Sequence, residues 1–404
     1  MKSRVGRPKP PGMARTNRPL RLTGARVLRE GALVEGAVTM DGGRIGDGPG
    51  AEADLSGYLL LPGIVDLHGD AFERHMAPRS GVGFDMALGL ASVDAELCAN
   101  GVTTAYLAQC HSWEGGKRGA DYAGRLIAAL GAHRARADMR LQLRHETHFL
   151  DGEAGLLAWI GSGAVGYVVF NDHLGDAREM WARRPEIVAA WAAEAGRSGA
   201  EHMALVEAAA ARGGEVPASL RRIAAALRAA GARFGSHDDA DAATRARFDA
   251  LGAAICEFPI SREAAAEAKA RGNPVLMGAP NVVRGGSQSG NVAAEALVAE
   301  GLCDALVSDY YYPAMAAAAW ALADRGALAL PAAWGLVSEG PAAVIGLEDR
   351  GRIAEGLRAD LVAVHTGTRA IEAVFVAGRP VHLSGEAALR LMRAPLEDAR
   401  LAAE

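Results

Sequence analysis

The feature that most constrains this chain is a repeat. Short apolar runs recur through its middle, and Ala-rich stretches of helical composition lie between them. Eight runs have strand character: 63–68, 102–108, 140–146, 166–171, 233–237, 253–258, 274–278 and 305–309. Most are apolar without alternation, as strands covered on both faces of a parallel sheet must be. Residues 204–211 and 220–230 typify the helical spacers. Eight strand–helix units predict an α/β fold, a (β/α)8 TIM-like barrel. One spacer is out of scale. The roughly 60 residues between the fourth and fifth runs exceed an ordinary crossover, which predicts either a long helical excursion or an unrecognised strand.

The ends of the chain read differently. Residues 19–61 and 349–392 carry short β-like pieces, such as Ala37-Val38-Thr39-Met40 before the turn Asp41-Gly42-Gly43. Together they predict one composite β-sandwich domain flanking a hydrolase barrel at 62–348. Residues 1–18 hold Lys2, Arg4, Arg7, Lys9, Arg15 and Arg18, no acid, and three prolines. That composition predicts a disordered basic tail without the apolar stretch of a secretory signal. Residues 393–404 are set apart as a C-terminal tail.

With 404 residues, half of them hydrophobic, the chain can bury a large core. A formal charge of −5 argues against a general nucleic-acid binder. No run is apolar and long enough to predict a membrane span, since the Ala-rich stretch at 315–323 stops at Asp324 and Arg325. The four cysteines, Cys98, Cys110, Cys256 and Cys303, form no C-x-x-C pair, so a cytoplasmic location is expected.

In a barrel, polar residues at strand C-termini face the active-site mouth. Here the first run ends His68-Gly69-Asp70, the third Arg144-His145-Glu146-Thr147-His148 and the fourth Asn171-Asp172-His173. The fifth ends Ser236-His237-Asp238-Asp239 and the eighth Ser308-Asp309. Clustered buried carboxylates and imidazoles cost several kcal/mol per unpaired charge, a cost that a dication removes. One tetrahedral ion does not need so many donors. The set suits one or two divalent metal ions, zinc first, with manganese or iron as alternatives, and a carboxylate such as Glu146 between two of them. Asp309 is then placed to take a proton from an attacking water.

Two further segments suggest an anionic substrate. Gly278-Ala279-Pro280-Asn281-Val282-Val283-Arg284-Gly285-Gly286-Ser287 follows the seventh run, where barrel enzymes often hold phosphate. Arg284 and the backbone of Gly285, Gly286 and Ser287 are its candidate phosphate contacts. It does not match G-x-x-x-x-G-K-[ST], so a P-loop is excluded. The second segment, just past Asp70, offers Arg74, His75 and Arg79.

These residues also resemble a known group. Leu61-Pro62-Gly63-Ile64-Val65-Asp66-Leu67-His68 is similar to the opening of the amidohydrolase superfamily barrel. Gly351-Arg352-Ile353-Ala354-Glu355-Gly356-Leu357-Arg358-Ala359-Asp360-Leu361-Val362 resembles that superfamily's return to its small sandwich. The superfamily usually has His-x-His on its first strand, where this chain has His-Gly-Asp. That departure, with Ser236-His237-Asp238-Asp239, Glu257-Phe258-Pro259 and residues 277–291, resembles the diphosphatase branch of the carbon–phosphorus lyase pathway. The resemblance implies hydrolysis of alpha-D-ribose 1-methylphosphonate 5-triphosphate to the 5-phosphate and pyrophosphate. It implies that His68 and Asp70 bind one metal, Glu146 bridges, His173 and His237 bind a second, and Asp309 is ligand and base. The chain departs from that branch at Gln288, where the branch has His, and around Glu146.

The expected function is therefore metal-dependent hydrolysis of a phosphoric anhydride on a phosphorylated sugar, with no nucleic-acid or membrane partner. The sequence is compatible with a homodimer. The alternatives are a carbon–nitrogen amidohydrolase (deaminase, deacetylase or cyclic amidase) using the same site, and a metal-binding barrel without catalysis.

Overall fold

Each of the eight apolar runs forms a strand: β1 Ile64–Gly69, β2 Val102–His111, β3 Asp138–Glu146, β4 Tyr167–Asn171, β5 Arg233–His237, β6 Ile255–Glu257, β7 Val275–Gly278 and β8 Ala305–Val307. The computed structural model describes residues 19–79, 81–287 and 290–401; the basic tail at 1–18 and Gln288 lie outside them. The eight strands pair in sequence order, each parallel to the next. A parallel bridge between Gly69 and Asp309 joins the last strand to the first and closes the ring.

The reason for the apolar runs is now visible. All ten residues of β2 and all five of β4 are buried. Val65, Leu67, Tyr167, Val169, Leu276 and Val307 share one core cluster. Truncating one of these, Leu67→Ala for instance, removes atoms from a site with no solvent access and costs about 2–5 kcal/mol. Two strands, β6 and β8, stop before the C-terminal ends of their runs for a local reason. Phe258 and Asp309 take left-handed φ values of 49° and 54°, which stop β6 at Glu257 and β8 at Val307.

The long spacer between β4 and β5 is a helical excursion with no strand in it. Four helices fill it: Leu174–Arg183, Pro185–Glu194, Gly199–Ala211 and Val216–Ala230. Their ends carry the expected signals. Pro185 opens the second, a Ser198/Glu201 capping box opens the third, and left-handed Gly231 closes the fourth. Among the described residues no helix is long and apolar enough to cross a membrane, and all four cysteines are buried and free.

The chain divides into two compact units, 62–351 and a second one built from both ends. In the second, eight strands form one continuous mixed sheet. Leu20–Arg29 pairs antiparallel with Ala32–Asp41, and parallel with Ala51–Asp54 at one end and Tyr58–Pro62 at the other. The strands Leu361–His365, Ile371–Val376 and Arg379–Leu383 extend it from the C-terminal side. Leu22, Val38, Leu60, Leu361 and Phe375 make its core, to which helix Gly385–Leu401 adds Ala387, Leu391 and Ala394. That helix runs through most of the segment set apart as a tail.

Candidate metal and anion site

Strand ends from around the ring meet at one cavity of about 190 Å³. Its wall includes His68 and Asp70 from β1, Arg144 from β3, His237 and Asp238 from β5, and Asp309 after β8. The segment after β7 adds Asn281, Arg284, Gly286 and Ser287. Glycine is required between His68 and Asp70: a Cβ on Gly69 would lie 2.7 Å from both Asp66 Oδ2 and Ser308 Oγ. That close approach seats β1 against β8. The Asp309 amide donates to the His68 carbonyl at 2.9 Å, and the Asp70 amide donates to the Asp309 carbonyl at 2.9 Å. Asp238 and Asp309 hold left-handed φ values of 59° and 54°. Such conformations are uncommon outside glycine and often accompany functional sites.

One carboxylate–imidazole couple lies in the cluster and a second lies beside it. His68 Nδ1 lies 2.7 Å from Glu257 Oε2, and neither side chain is more than 1 % exposed. Gln142 Nε2 donates to Glu257 Oε1 at 2.6 Å, and the Tyr167 hydroxyl donates to the same oxygen. In the second couple, His173 Nδ1 meets Glu146 Oε1, and the His173 amide donates to Glu146 Oε2 at 3.1 Å. When a carboxylate accepts the Nδ1 proton, it fixes the tautomer and leaves Nε2 available to an ion. His237 stands 5.3 Å from His68 between ring centroids. Its Nδ1 is 2.7 Å from Asp238 Oδ2 without hydrogen-bond alignment, so this buried nitrogen has no satisfied partner.

Electrostatics at the site follow from burial. Burial, with Arg144 adding to it, pushes His68 down to about 3, so the ring is neutral and available as a ligand. Burial, with Asp70 beside it, pushes the Asp309 carboxyl up to about 7, and burial raises Glu257 to about 7. A bound dication reverses these carboxylate shifts by favouring the charged form. Among the described residues, one group of three donors lies close enough to share an ion: His68, His237 and Glu257, with ligand atoms within 4.8 Å of one another. Imidazole nitrogen with carboxylate oxygen is a donor set that fits a borderline divalent metal.

Comparison with known proteins adds to this geometry. The amidohydrolase family signature matches residues 184–381. The alpha-D-ribose 1-methylphosphonate 5-triphosphate diphosphatase of Escherichia coli K12 is 34 % identical over 365 residues, which span 85 % of this chain and 94 % of that protein. The chain belongs to the amidohydrolase family. The fold of this amidohydrolase is shared with a β-aspartyl dipeptidase from Fervidobacterium islandicum AW-1. That structure is 14 % identical with a TM-score of 0.59, covering 91 % of this chain and 97 % of the other. The N-acetylglucosamine-6-phosphate deacetylase of Pasteurella multocida gives 12 % and 0.57, over 90 % and 100 %. At such identities the likeness is one of fold. Members of the amidohydrolase family use divalent metals, and this one presents a candidate site for them.

The structure gathers some expected site residues and leaves others apart. His68, Asp70, His237, Asp309, Arg284, Gly286 and Ser287 line one cavity. Glu146 and His173 bond to each other and reach the cluster through Asp238, 4.0 Å from His173 Nε2. Gly285 is the left-handed cap of helix Ala279–Arg284 and is not on the wall. Arg74 and His75 are also off the wall: both side chains bond to Glu96, and Arg74 Nη1 also donates to the Tyr310 carbonyl at 3.3 Å. Arg79 is an exposed loop residue bridged to Val82.

In this amidohydrolase three members of the cluster have no role in the sequence reading. Asp238 directly follows an expected ligand. Glu257 is the one acid in β6, which was a signal for it. Arg144 stands two residues before Glu146, so both face the barrel interior while His145 faces away.

Proposed function

We propose that this amidohydrolase is a metal-dependent hydrolase that cleaves the triphosphate of alpha-D-ribose 1-methylphosphonate 5-triphosphate into the 5-phosphate and pyrophosphate. The observation that carries the reading is the cavity wall, where imidazoles and carboxylates stand beside two guanidinium groups, Arg144 and Arg284. The donors to the ion would be His68, Asp70, His237 and Asp309 on that wall with Glu146 and His173 beside it, and zinc is the first candidate. A divalent ion held there supplies Lewis-acid polarisation and acidifies water.

Asp309 takes a proton from the water that attacks phosphorus. The new P–O bond forms as the anhydride P–O bond breaks, and pyrophosphate leaves as an anion that needs little help from an acid. Glu257 holds the ring of His68 through Nδ1, as Glu146 holds that of His173. Arg284, 3.5 Å from the Tyr310 hydroxyl, meets the polyphosphate together with Gly286 and Ser287. A carbon–nitrogen hydrolase would need the same base, but on a neutral amide it would have no use for two cations on the wall.

Product analysis with the metal-loaded protein tests this reading. Pyrophosphate should appear from the ribose triphosphate, with no ammonia from nucleobases and no amide cleavage. Asp309→Asn should slow that release by roughly 10²–10⁴-fold while the metal stays bound. A near-normal rate in that variant would remove Asp309 as the base.

A further inference from the structure

Arg144 lines the cavity as a cation, but the reading above gives its side chain no contact of its own. Its side chain is 14 % exposed and sits among Asp70, Asp238, His68 and His237 on the wall. A guanidinium has five N–H donors. Among the described residues, its one hydrogen bond is a long one, from Nη1 to Asp70 Oδ2 at 3.4 Å. Nε is buried with no acceptor, and Nη2 has no protein acceptor among the described residues either. Leaving a buried charged group so poorly bonded is costly unless a ligand completes it. The Nε–Nη2 edge is the planar fork that grips two oxygens of a phosphate or carboxylate at once.

Three other guanidinium groups of the barrel show what a structural arginine looks like here. Arg245 is fully buried and, although its Nε also lacks an acceptor, its two terminal nitrogens donate to Ser236, Asp239 and the carbonyls of Ala253 and Ile255. Arg350 donates to Thr104, Asp138 and Asp349. Arg140 is bonded to both oxygens of Asp138 and to Tyr106. Arg144 has no comparable set of acceptors, yet it lies beside the metal donors.

We propose that Arg144 is a substrate-contacting residue: its Nε–Nη2 edge binds non-bridging oxygens of the scissile phosphoric anhydride. It selects a polyanionic phosphate over a neutral amide and stabilises the charge that builds on those oxygens. This rests on the anhydride-hydrolase reading above.

The test uses the full chain, loaded with the same metal, as wild type, Arg144→Met and Arg144→Lys. Inorganic pyrophosphate binding is measured by calorimetry, turnover of the ribose triphosphate by pyrophosphate release, and metal content by elemental analysis. Arg144→Met should bind pyrophosphate at least about tenfold more weakly and lose roughly 10²-fold or more in kcat/KM. Its metal content and thermal midpoint should match wild type. Arg144→Lys keeps the charge without the fork, so it should recover part of the binding and less of kcat. Wild-type pyrophosphate affinity in Arg144→Met, or weak binding that metal saturation restores, would overturn the proposal. If Arg144→Met fails to fold, Arg144→Lys decides, and wild-type behaviour there in both assays overturns it. A wild-type protein that releases no pyrophosphate would sink the anhydride reading, while the calorimetry would still judge Arg144.

Discussion

Two pairs of buried imidazoles sit at strand ends of this barrel, and they have opposite surroundings. His68 and His237 are 5.3 Å apart, line the cavity, and have Glu257 and Asp238 against their nitrogens. His111 and His145 are 5.1 Å apart with Nδ1 atoms 3.0 Å from each other. Phe149 and Trp159 pack on His111 and Phe170 on His145. Neither ring of the second pair has a carboxylate partner among the described residues. One Nδ1 must donate and the other accept, so one proton lies between them and at least one of the two rings is neutral. Histidine at a strand end is thus not a sign of a ligand by itself. The face decides, because Arg144 and Glu146 point inward while His145, between them, points the other way.

The largest effect that would break this contrast is loss of metal. His237→Ala should weaken metal binding by more than about 10²-fold, whereas His145→Leu should leave it unchanged; equilibrium dialysis measures both. Metal loss from the second variant would erase the distinction between the pairs. Glu257→Gln tests the supporting carboxylate. It should lower metal affinity by roughly 10–100-fold while keeping the fold, and a titration against a competing chelator reads it.

The smallest effect is on stability. Burial pushes His111 down to about 4 and His145 lower than its ordinary value as well. An unfolded histidine protonates near 6.5, so below that pH the unfolded chain binds more protons and folding loses free energy. The loss from His111 should build between pH 6.5 and about 4 and amount to ~3 kcal/mol at most. Urea midpoints at pH 7 and pH 5 should therefore differ less in His111→Leu/His145→Leu than in wild type. An unchanged difference would show that the pair is not what titrates.

Much of the barrel could be read from the chain because burial on both faces writes itself as unbroken apolar runs. Strand-end donors were legible for the same reason: a His or Asp that ends such a run has few other places to be. What was not legible depends on partners far away in sequence. The attachment of Arg74 and His75 to Glu96 is set by how the helix Met86–Ala99 folds back, and no local pattern records that. Glu257 shows its role only when Gln142, Tyr167 and His68 converge on it from three other strands. Nothing in the sequence separates Arg144 from an ordinary charged neighbour of Glu146; its sparse acceptors appear only in the fold.

The junction of β1 with β8 has a consequence for how the protein comes into being. Ser308 donates to Asp66 across 242 residues of chain, and beside it the Asp70 amide donates to Asp309 and the Asp309 amide to His68. Contacts of that separation carry the largest loop-closure cost and form late. A chain still emerging from the ribosome has His68 and Asp70 but no Asp309 to meet them. The candidate centre is therefore complete only with the final stitch of the ring, and a half-made chain carries its first donors without a finished pocket around them.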